Sequence, residues 1–398
     1  MPRPGPDFAF LTDPSAPRTP RLSVIGPLAG VVAARLRSPR WGEVSFRPSS
    51  PPATPPSPLA RGVVVLVAGD APHRLVAGCL SRTRAARRAG VRLLALGGRL
   101  AGQGALVLGL ARETGLPVSP GVALAAAALL DAALFVLRWR GVDPARARAV
   151  VLVGSGTPSA GEAMVEYLGD RTGRVGVYGL DGFRRLTLAD RMRATTGAVL
   201  EVYRSVERCL LVADLLVVTG EGGEADPLEE FGPGPDSFPG RRTTVIADLV
   251  PGRTAPGPAR SGPPQAIVRQ ARPGPDGQGP LGLTRGGDAV AAPPLRLKRV
   301  FFARPAGWTG RPEPGAPDGL LSAPLVEAMI RAWGLAGFAG RAGAGERPAG
   351  RRPLSPEAMT WIRGRAEVLG LRPAALALAC APALDGRPFL DRRGRRPL

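Results

Sequence analysis

The sequence predicts an α/β protein: an N-terminal α/β domain, a Rossmann-type domain with a doubly wound parallel sheet, and a helical C-terminus. Three observations predict it. Short apolar strands alternate with amphipathic helices from Gly62 to Ala247, the pattern of a parallel sheet covered by helices. One apolar strand, Ala149–Val153, runs into a glycine-rich turn and at once into a helix. Hydrophobic residues make up 44% of the 398, enough for the cores of two or three domains.

Phe8–Leu11 (FAFL) opens the chain as a short strand. Gly62–Ala68 (GVVVLVA) is β-branched and strand-like, and Leu75–Ala89 is a helix with arginines on its polar face. Val91–Leu96 is a strand ending at Gly97-Gly98, and helices follow at Gly104–Thr114 and Val122–Arg140. The most apolar run, Gly121–Leu137, contains Asp131 and ends at Arg138-Trp139-Arg140. It is too short and too charged for a membrane span and reads as a buried core helix, with Asp131 paired to an arginine of another element.

Next come strand Ala149–Val153, helix Ala160–Gly169 and strand Arg174–Tyr178. Leu186–Met192 and Val199–Glu207 read as helical, Leu215–Val218 and Thr243–Ala247 as strands. Leu321–Ala336 and Ser355–Leu369 are helices, the second with Ser355 as N-cap ahead of Pro356. Arg47–Pro58, Glu221–Arg242, Pro251–Pro294, Gly307–Gly319 and Ala339–Arg352 are rich in glycine or proline, lack apolar periodicity and read as loops or unstructured chain. The expected division is 1–141 as a substrate-type domain (Pro-rich insertion 47–58), 142–298 as the Rossmann domain (low-complexity loop 251–294), and 299–398 as a helical segment packing back on the N-terminal domain.

Composition excludes several chemistries. Three cysteines exclude a disulfide scaffold. One histidine, His73, excludes a site built from several imidazoles; it reads as a loop residue after a strand, a surface group or a general acid or base. Cys79, Cys209 and Cys380 sit in apolar helical contexts without metal-ligand spacing and read as buried free thiols. No metal is expected. The net charge is +21, yet Lys298 is the one lysine, asparagine is absent, and the abundant Arg, Ala, Gly and Pro share GC-rich codons. Part of the basic balance is therefore codon bias. The arginines are scattered without interleaved aromatics, so no specific nucleic-acid partner is expected. Met1–Pro6 lacks an apolar signal region, and the expected location is cytoplasmic.

The segment AVVLVGSGTPSAGEAMVEYL (Ala149–Leu168) carries the functional signal. A strand, a tight turn and a helix N-terminus form an anion site, because free backbone N–H groups and the helix dipole both favour negative charge. Gly154 makes the turn, Gly156 admits the pyrophosphate, and Gly161 allows close helix–strand packing, with Ser155, Thr157 and Ser159 alongside. The glycine spacing, GxGxxxxG, is longer than the usual fingerprint. After the next strand, Asp181 suits the ribose 2′-hydroxyl of NAD, while Arg184 and Arg185 suit the 2′-phosphate of NADP. The choice stays open, with a lean to NADP. Thr219 and Asp248, at the ends of the fourth and fifth strands, are expected near the nicotinamide.

Several stretches resemble the long-chain acyl-carrier-protein reductases and the related predicted amino-acid dehydrogenases, whose cofactor domain is shikimate-dehydrogenase-like. DFAFLTDP (Asp7–Pro14) resembles that family's first strand, and ALGG (Ala95–Gly98) its Gly-Gly loop. Gly121 through Gly154 matches without a gap from the family's helix-start glycine to its first nucleotide-loop glycine. Glu327-Ala328-Met329 and Leu354–Ala377 resemble its two C-terminal helices. The resemblance implies an N-terminal substrate domain, an NAD(P) domain, and hydride transfer to or from an acyl thioester or another carbonyl.

The departures bear on chemistry. The family's reductases hold the acyl group on a cysteine just before the Glu-Ala-Met helix; this chain has Pro324 there, which supplies no nucleophile. Val122, Ala123 and Leu124 replace polar residues after Gly121, and Arg99, Leu100 and Ala101 replace small, hydroxyl-bearing ones after Gly98. The expected function is a divergent NAD(P)-dependent oxidoreductase acting on a carbonyl, acyl or amino-acid-like substrate that the sequence does not identify. The alternative is a catalytically degenerate relative that binds a nucleotide or a protein partner without turnover.

Overall fold

The computed structural model describes residues 6–12, 40–46, 60–67, 72–101, 103–154, 158–220, 228, 245–250, 266–269, 295–304, 308, 316, 319–338 and 354–379. These fall into two compact units. The first takes the chain up to Val122, resumes at Ala303 through a helix at 323–338, and includes Gly364–Arg372. The second takes Ala123–Phe302, the residues ending at Arg363, and those from Pro373 onward. The division at 122/123, not 141/142, gives the apolar helix to the second unit, because that helix packs on the second unit's strands.

In the first unit the chain runs β1 (Phe8–Thr12), β2 (Arg40–Phe46), β3 (Ala60–Leu66), α1 (Pro72–Arg88), β4 (Leu93–Leu96), α2 (Gly104–Thr114) and β5 (Val118–Ser119). The strands lie in the order β2-β3-β1-β4-β5, parallel except for β2. β1 is central and buried along its whole length, as its unbroken apolar sequence requires. Its rings need space that neighbouring glycines leave: a Cβ on Gly62 would lie 2.1 Å from the Phe8 ring, and one on Gly97 2.2 Å from the Phe10 ring. His73 falls within the first turn of α1 rather than in a loop.

The second unit begins with α3 (Ala123–Trp139), whose leucines and most of whose alanines are buried, and which packs on β9 and β10. Then come β6 (Arg148–Val153), α4 (Pro158–Gly169), β7 (Arg174–Tyr178), α5 (Gly182–Thr195), β8 (Leu200–Val202), α6 (Val206–Val212), β9 (Leu215–Thr219), β10 (Val245–Asp248), β11 (Ala266–Arg269) and β12 (Leu295–Ala303). The sheet order is β11-β14-β12-β10-β9-β6-β7-β8, where β14 is Pro373–Ala379. From β8 to β12 every pairing is parallel. In chain order these six strands stand 3-2-1-4-5-6, the doubly wound Rossmann arrangement, with its switch point between β6 and β9. β14 and β11 then extend the sheet in antiparallel fashion.

Residues 199–207 depart from the helical expectation. Leu200–Val202 pairs with Val175–Val177 as an edge strand. A helix starts only after Ser205, whose Oγ accepts from Arg208 N at 3.3 Å as N-cap. Between β13 (Leu320–Ser322) and β14 lie α7 (Ala323–Phe338), which packs on β1, β3 and β4, and α8 (Pro356–Val368). Ser355 caps α8 as expected, accepting from Ala358 N at 3.2 Å. β2, β5 and β12 carry no signal in the sequence reading, and β13 and β14 are strands where it expects helix, at Leu321 and within Leu354–Ala377 of the C-terminal helical segment, because each pairs with β12. Among the described residues no helix is long and apolar enough to cross a membrane.

Candidate functional site

Three segments of the second unit converge on Val153, the last residue of β6. The strand's hydrogen bonding persists one residue further, where Gly154 N donates to Thr219 O of β9 at 2.9 Å. Helix α4 starts at Pro158, a residue suited to the first helical turn because it lacks the N–H that would be unsatisfied there. Its Gly161 rests on the strand: a Cβ there would lie 2.4 Å from Val153 Cγ2. Gly179, just past β7, has φ +92°, and a Cβ there would lie 2.3 Å from the Val153 carbonyl oxygen. The close helix–strand approach expected of Gly161 is therefore present, and the start of α4 is held over the carboxyl end of β6. Ser159 is exposed in the first turn of α4. Ser155, Gly156 and Thr157 lie outside the described residues.

Asp181 has a local task that the sequence reading did not assign. It is the N-cap of α5, its Oδ1 accepting from Arg184 N at 2.9 Å. The Arg184 guanidinium bridges two acids, with Nε 3.4 Å from Asp181 Oδ2 and Nη1 2.8 Å from Glu162 Oε1. Arg185 Nε donates to the Asp181 carbonyl at 3.3 Å. Glu162, on α4, is nearly buried, and its Oε2 takes Arg191 Nη2 at 2.9 Å. Arg191 Nε reaches Glu166 Oε1 at 2.6 Å. Burial alone would lower the Arg191 pKa; the hydrogen bonds and charges of Glu166 and Glu162 outweigh it and raise the value. Glu162 and Arg191 were missed in the sequence. Their signal was faint: Glu162 and Glu166 stand one helical turn apart, facing arginines seven apart on the next helix.

Thr219 and Asp248 do sit at strand ends, but both are turned inward. Thr219 is buried, and its Oγ1 donates to Leu152 O at 3.3 Å. The Asp248 carboxylate is 1% exposed and accepts from Arg296 Nη2 at 2.7 Å, with Lys298 Nζ at 3.7 Å. Its Oδ1 also accepts from Val250 N at 3.2 Å. The chain's one lysine is thus drawn into a buried charge cluster.

Elsewhere in this unit, Asp131 has the arginine expected of it. Asp131 Oδ2 lies 2.9 Å from Arg363 Nε, and Oδ1 accepts from the Tyr167 hydroxyl at 3.1 Å. Cys209 is buried, and burial pushes its thiol up to about 12. Cys79, in the first unit, is also a buried free thiol; Cys380 lies outside the described residues.

Among the described residues of the first unit, Glu327 on α7 is a fully buried carboxylate. Its Oε1 accepts from Ser119 Oγ at 2.8 Å and from Arg331 Nε at 2.9 Å. Pro324 packs beside Gly121, where a Cβ would lie 2.8 Å from Pro324 Cβ and 2.4 Å from Leu96 O. Among the described residues no group of three His, Cys, Asp or Glu side chains clusters as metal ligands would.

No family model and no curated protein matches this sequence. Solved structures resemble the chain only weakly, at low identity and low TM-score. Ornithine carbamoyltransferase from Campylobacter jejuni is 11% identical over 63% of this chain and 77% of its own, with a TM-score of 0.32. L-tryptophan dehydrogenase from Nostoc punctiforme is 14% identical over 63% and 65%, with a TM-score of 0.28. Quinate dehydrogenase from Corynebacterium glutamicum, solved with NAD, is 15% identical over 62% and 80%, with a TM-score of 0.29. The chain spans 62% of the length of the aspartate transcarbamoylase from Trypanosoma cruzi. Likenesses of this size extend to neither activity nor ligand, and the fold rests on the strand order itself.

Proposed function

We propose that the chain is a divergent NAD(P)-dependent oxidoreductase acting on a carbonyl, acyl or amino-acid-like substrate. The observation that carries this reading is the packing at Val153, at the switch point of a 3-2-1-4-5-6 sheet. Ligands of such sheets bind outside the carboxyl ends of the strands, and a pyrophosphate sits on the N-terminus of the helix after the first strand. Gly161 and Gly179 allow α4 and the end of β7 to approach Val153 closely, which supports this reading.

In this reading the backbone of Gly154, Ser155, Gly156 and Thr157 and the hydroxyl of Ser159 hold the pyrophosphate. Asp181 faces the adenosine ribose. When bound, the nicotinamide supplies the hydride chemistry; the chain binds, orients and excludes water. Pro324 at the family's cysteine position leaves no thiolate there, so reduction proceeds on a bound carbonyl without an acyl-enzyme at that residue. The N-terminal unit is assigned the substrate.

A second reading, binding without turnover, draws support from the inward commitment of Thr219 and Asp248. Calorimetric titration with NAD⁺, NADH, NADP⁺ and NADPH tests both. Binding that is lost in Gly156→Glu supports a dinucleotide site, and turnover in a screen of keto acids and acyl thioesters then separates enzyme from binder. Failure of all four nucleotides to bind overturns the oxidoreductase reading.

A further inference from the structure

We infer that Glu162 sets the choice between the two nicotinamide dinucleotides, by holding Arg184 away from a 2′-phosphate and so making the site one for NAD. The inference rests on the dinucleotide reading above and goes beyond it in naming the cofactor and the residue that selects it. It reverses the lean to NADP that the arginine pair suggests in the sequence.

The argument is one of charge and commitment. A phosphomonoester brings about −1.5 to −2 charges at neutral pH and is bound where a guanidinium can meet it with a fork of donors. Arg184 is the first arginine after β7 and stands where such a fork would be needed. Its Nη1 lies 2.8 Å from Glu162 Oε1, and its Nε lies 3.4 Å from Asp181 Oδ2. Two of the three guanidinium nitrogens therefore face carboxylates. The Glu162 side chain is 4% exposed, and a nearly buried carboxylate holds its cation far more firmly than a surface one does. Arg185 has turned its Nε onto the Asp181 carbonyl. The most exposed charge here is the Asp181 carboxylate, 62% exposed at the side chain. It accepts hydrogen bonds and donates none, so it favours a 2′-hydroxyl and repels a 2′-phosphate.

Glu162 is thus a positioning residue that acts through Arg184. Replacing it by glutamine keeps its size and removes its charge. Arg191 retains Glu166 at 2.6 Å, so the α4–α5 contact keeps one of its ion pairs. Arg184 is 39% exposed at its side chain and is free to swing outward once released.

The experiment is calorimetric titration of the full chain with NAD⁺ and NADP⁺. The wild type should bind NAD⁺ at least about tenfold more tightly. Glu162→Gln should raise NADP⁺ affinity about fivefold or more and move NAD⁺ affinity by less than about twofold. Adding Arg184→Ala to Glu162→Gln should cancel that gain. Glu166→Gln, which loosens the same helix pair without touching Arg184, should leave the ratio unchanged, as a merely structural effect would not. Wild-type preference for NADP⁺, or equal binding, overturns the inference while keeping the dinucleotide reading, and this needs no variant to fold. An unchanged ratio in a folded Glu162→Gln overturns it too. Binding of neither nucleotide overturns the dinucleotide reading, and the inference with it.

Discussion

Tyr167, nine residues into α4 and fully buried, donates its hydroxyl to Asp131 of α3, whose other carboxylate oxygen holds Arg363 of α8. One carboxylate thereby joins Tyr167 and Arg363 to α3 within the second unit. The tie is sensitive to base. Burial, reinforced by the Asp131 charge, pushes the Tyr167 phenol up to about 12. The neutral form is favoured in the folded state, so its stabilisation is whole below about pH 10 and is lost as pH rises towards about 12, on the order of 2 kcal/mol. Tyr203, raised to about 12 by burial and its hydrogen bond to Glu201, acts in the same direction. Urea midpoints measured across that window should fall, and Tyr167→Phe should flatten the fall. A phenolate absorbance that rises fully near pH 10 in the folded protein would contradict this.

The Val153 junction makes a prediction that separates side-chain from backbone crowding. Gly161→Ala meets Val153 Cγ2 at 2.4 Å, and Gly179→Ala meets Val153 O at 2.3 Å with φ +92°. Both should destabilise, the first by about 1–3 kcal/mol and the second by more, because a carbonyl in a sheet cannot move aside. Val153→Ala should then rescue Gly161→Ala in thermal denaturation and leave Gly179→Ala unrescued. Equal rescue of both would show that the junction is softer than its geometry.

Asp248 tests whether a strand-end acid is structural. Asp248→Asn leaves Arg296 and the nearly buried Lys298 beside a neutral amide, which should cost about 3–5 kcal/mol. The thermal transition reads the loss directly. A stable Asp248→Asn protein with weakened substrate turnover would instead return Asp248 to the reaction site expected from the sequence.

Cys209 should be chemically silent. With its thiol pushed up to about 12 by burial, the thiolate that attacks an alkylating agent is scarce at neutral pH. Peptide mapping after iodoacetamide treatment should find Cys209 unmodified in the folded protein and modified after denaturation in urea. Labelling at equal rates in both states would contradict its burial.

Much of the second unit was legible because its signals are local. Alternating apolar strands and helices and the glycine at 161 each act within a few residues of themselves. The strands at the other end of the sheet were not legible. Pro373–Ala379 is an alanine-rich run that helix and strand share equally well, and it becomes β14 only because β12 offers it a free edge. Leu200–Val202 likewise needed β7 beside it.

The sequence by itself determined the α/β class, the strand–turn–helix at β6 and α4, and which residue types stand at the strand ends, because chain-local sterics and apolar periodicity decide those. Only the tertiary structure decided what the charged residues do there. Asp181 and Arg185 kept to their own turn, but Arg184 found its second acid, Glu162, 22 residues away, and Asp248 found Arg296 48 residues away. A buried charge must be met by an opposite one, and which one is near depends on how strands and helices stack. The same stacking paired Arg184, one of two arginines that read as a phosphate site, with a nearly buried carboxylate, while Arg185 turned towards its own helix cap.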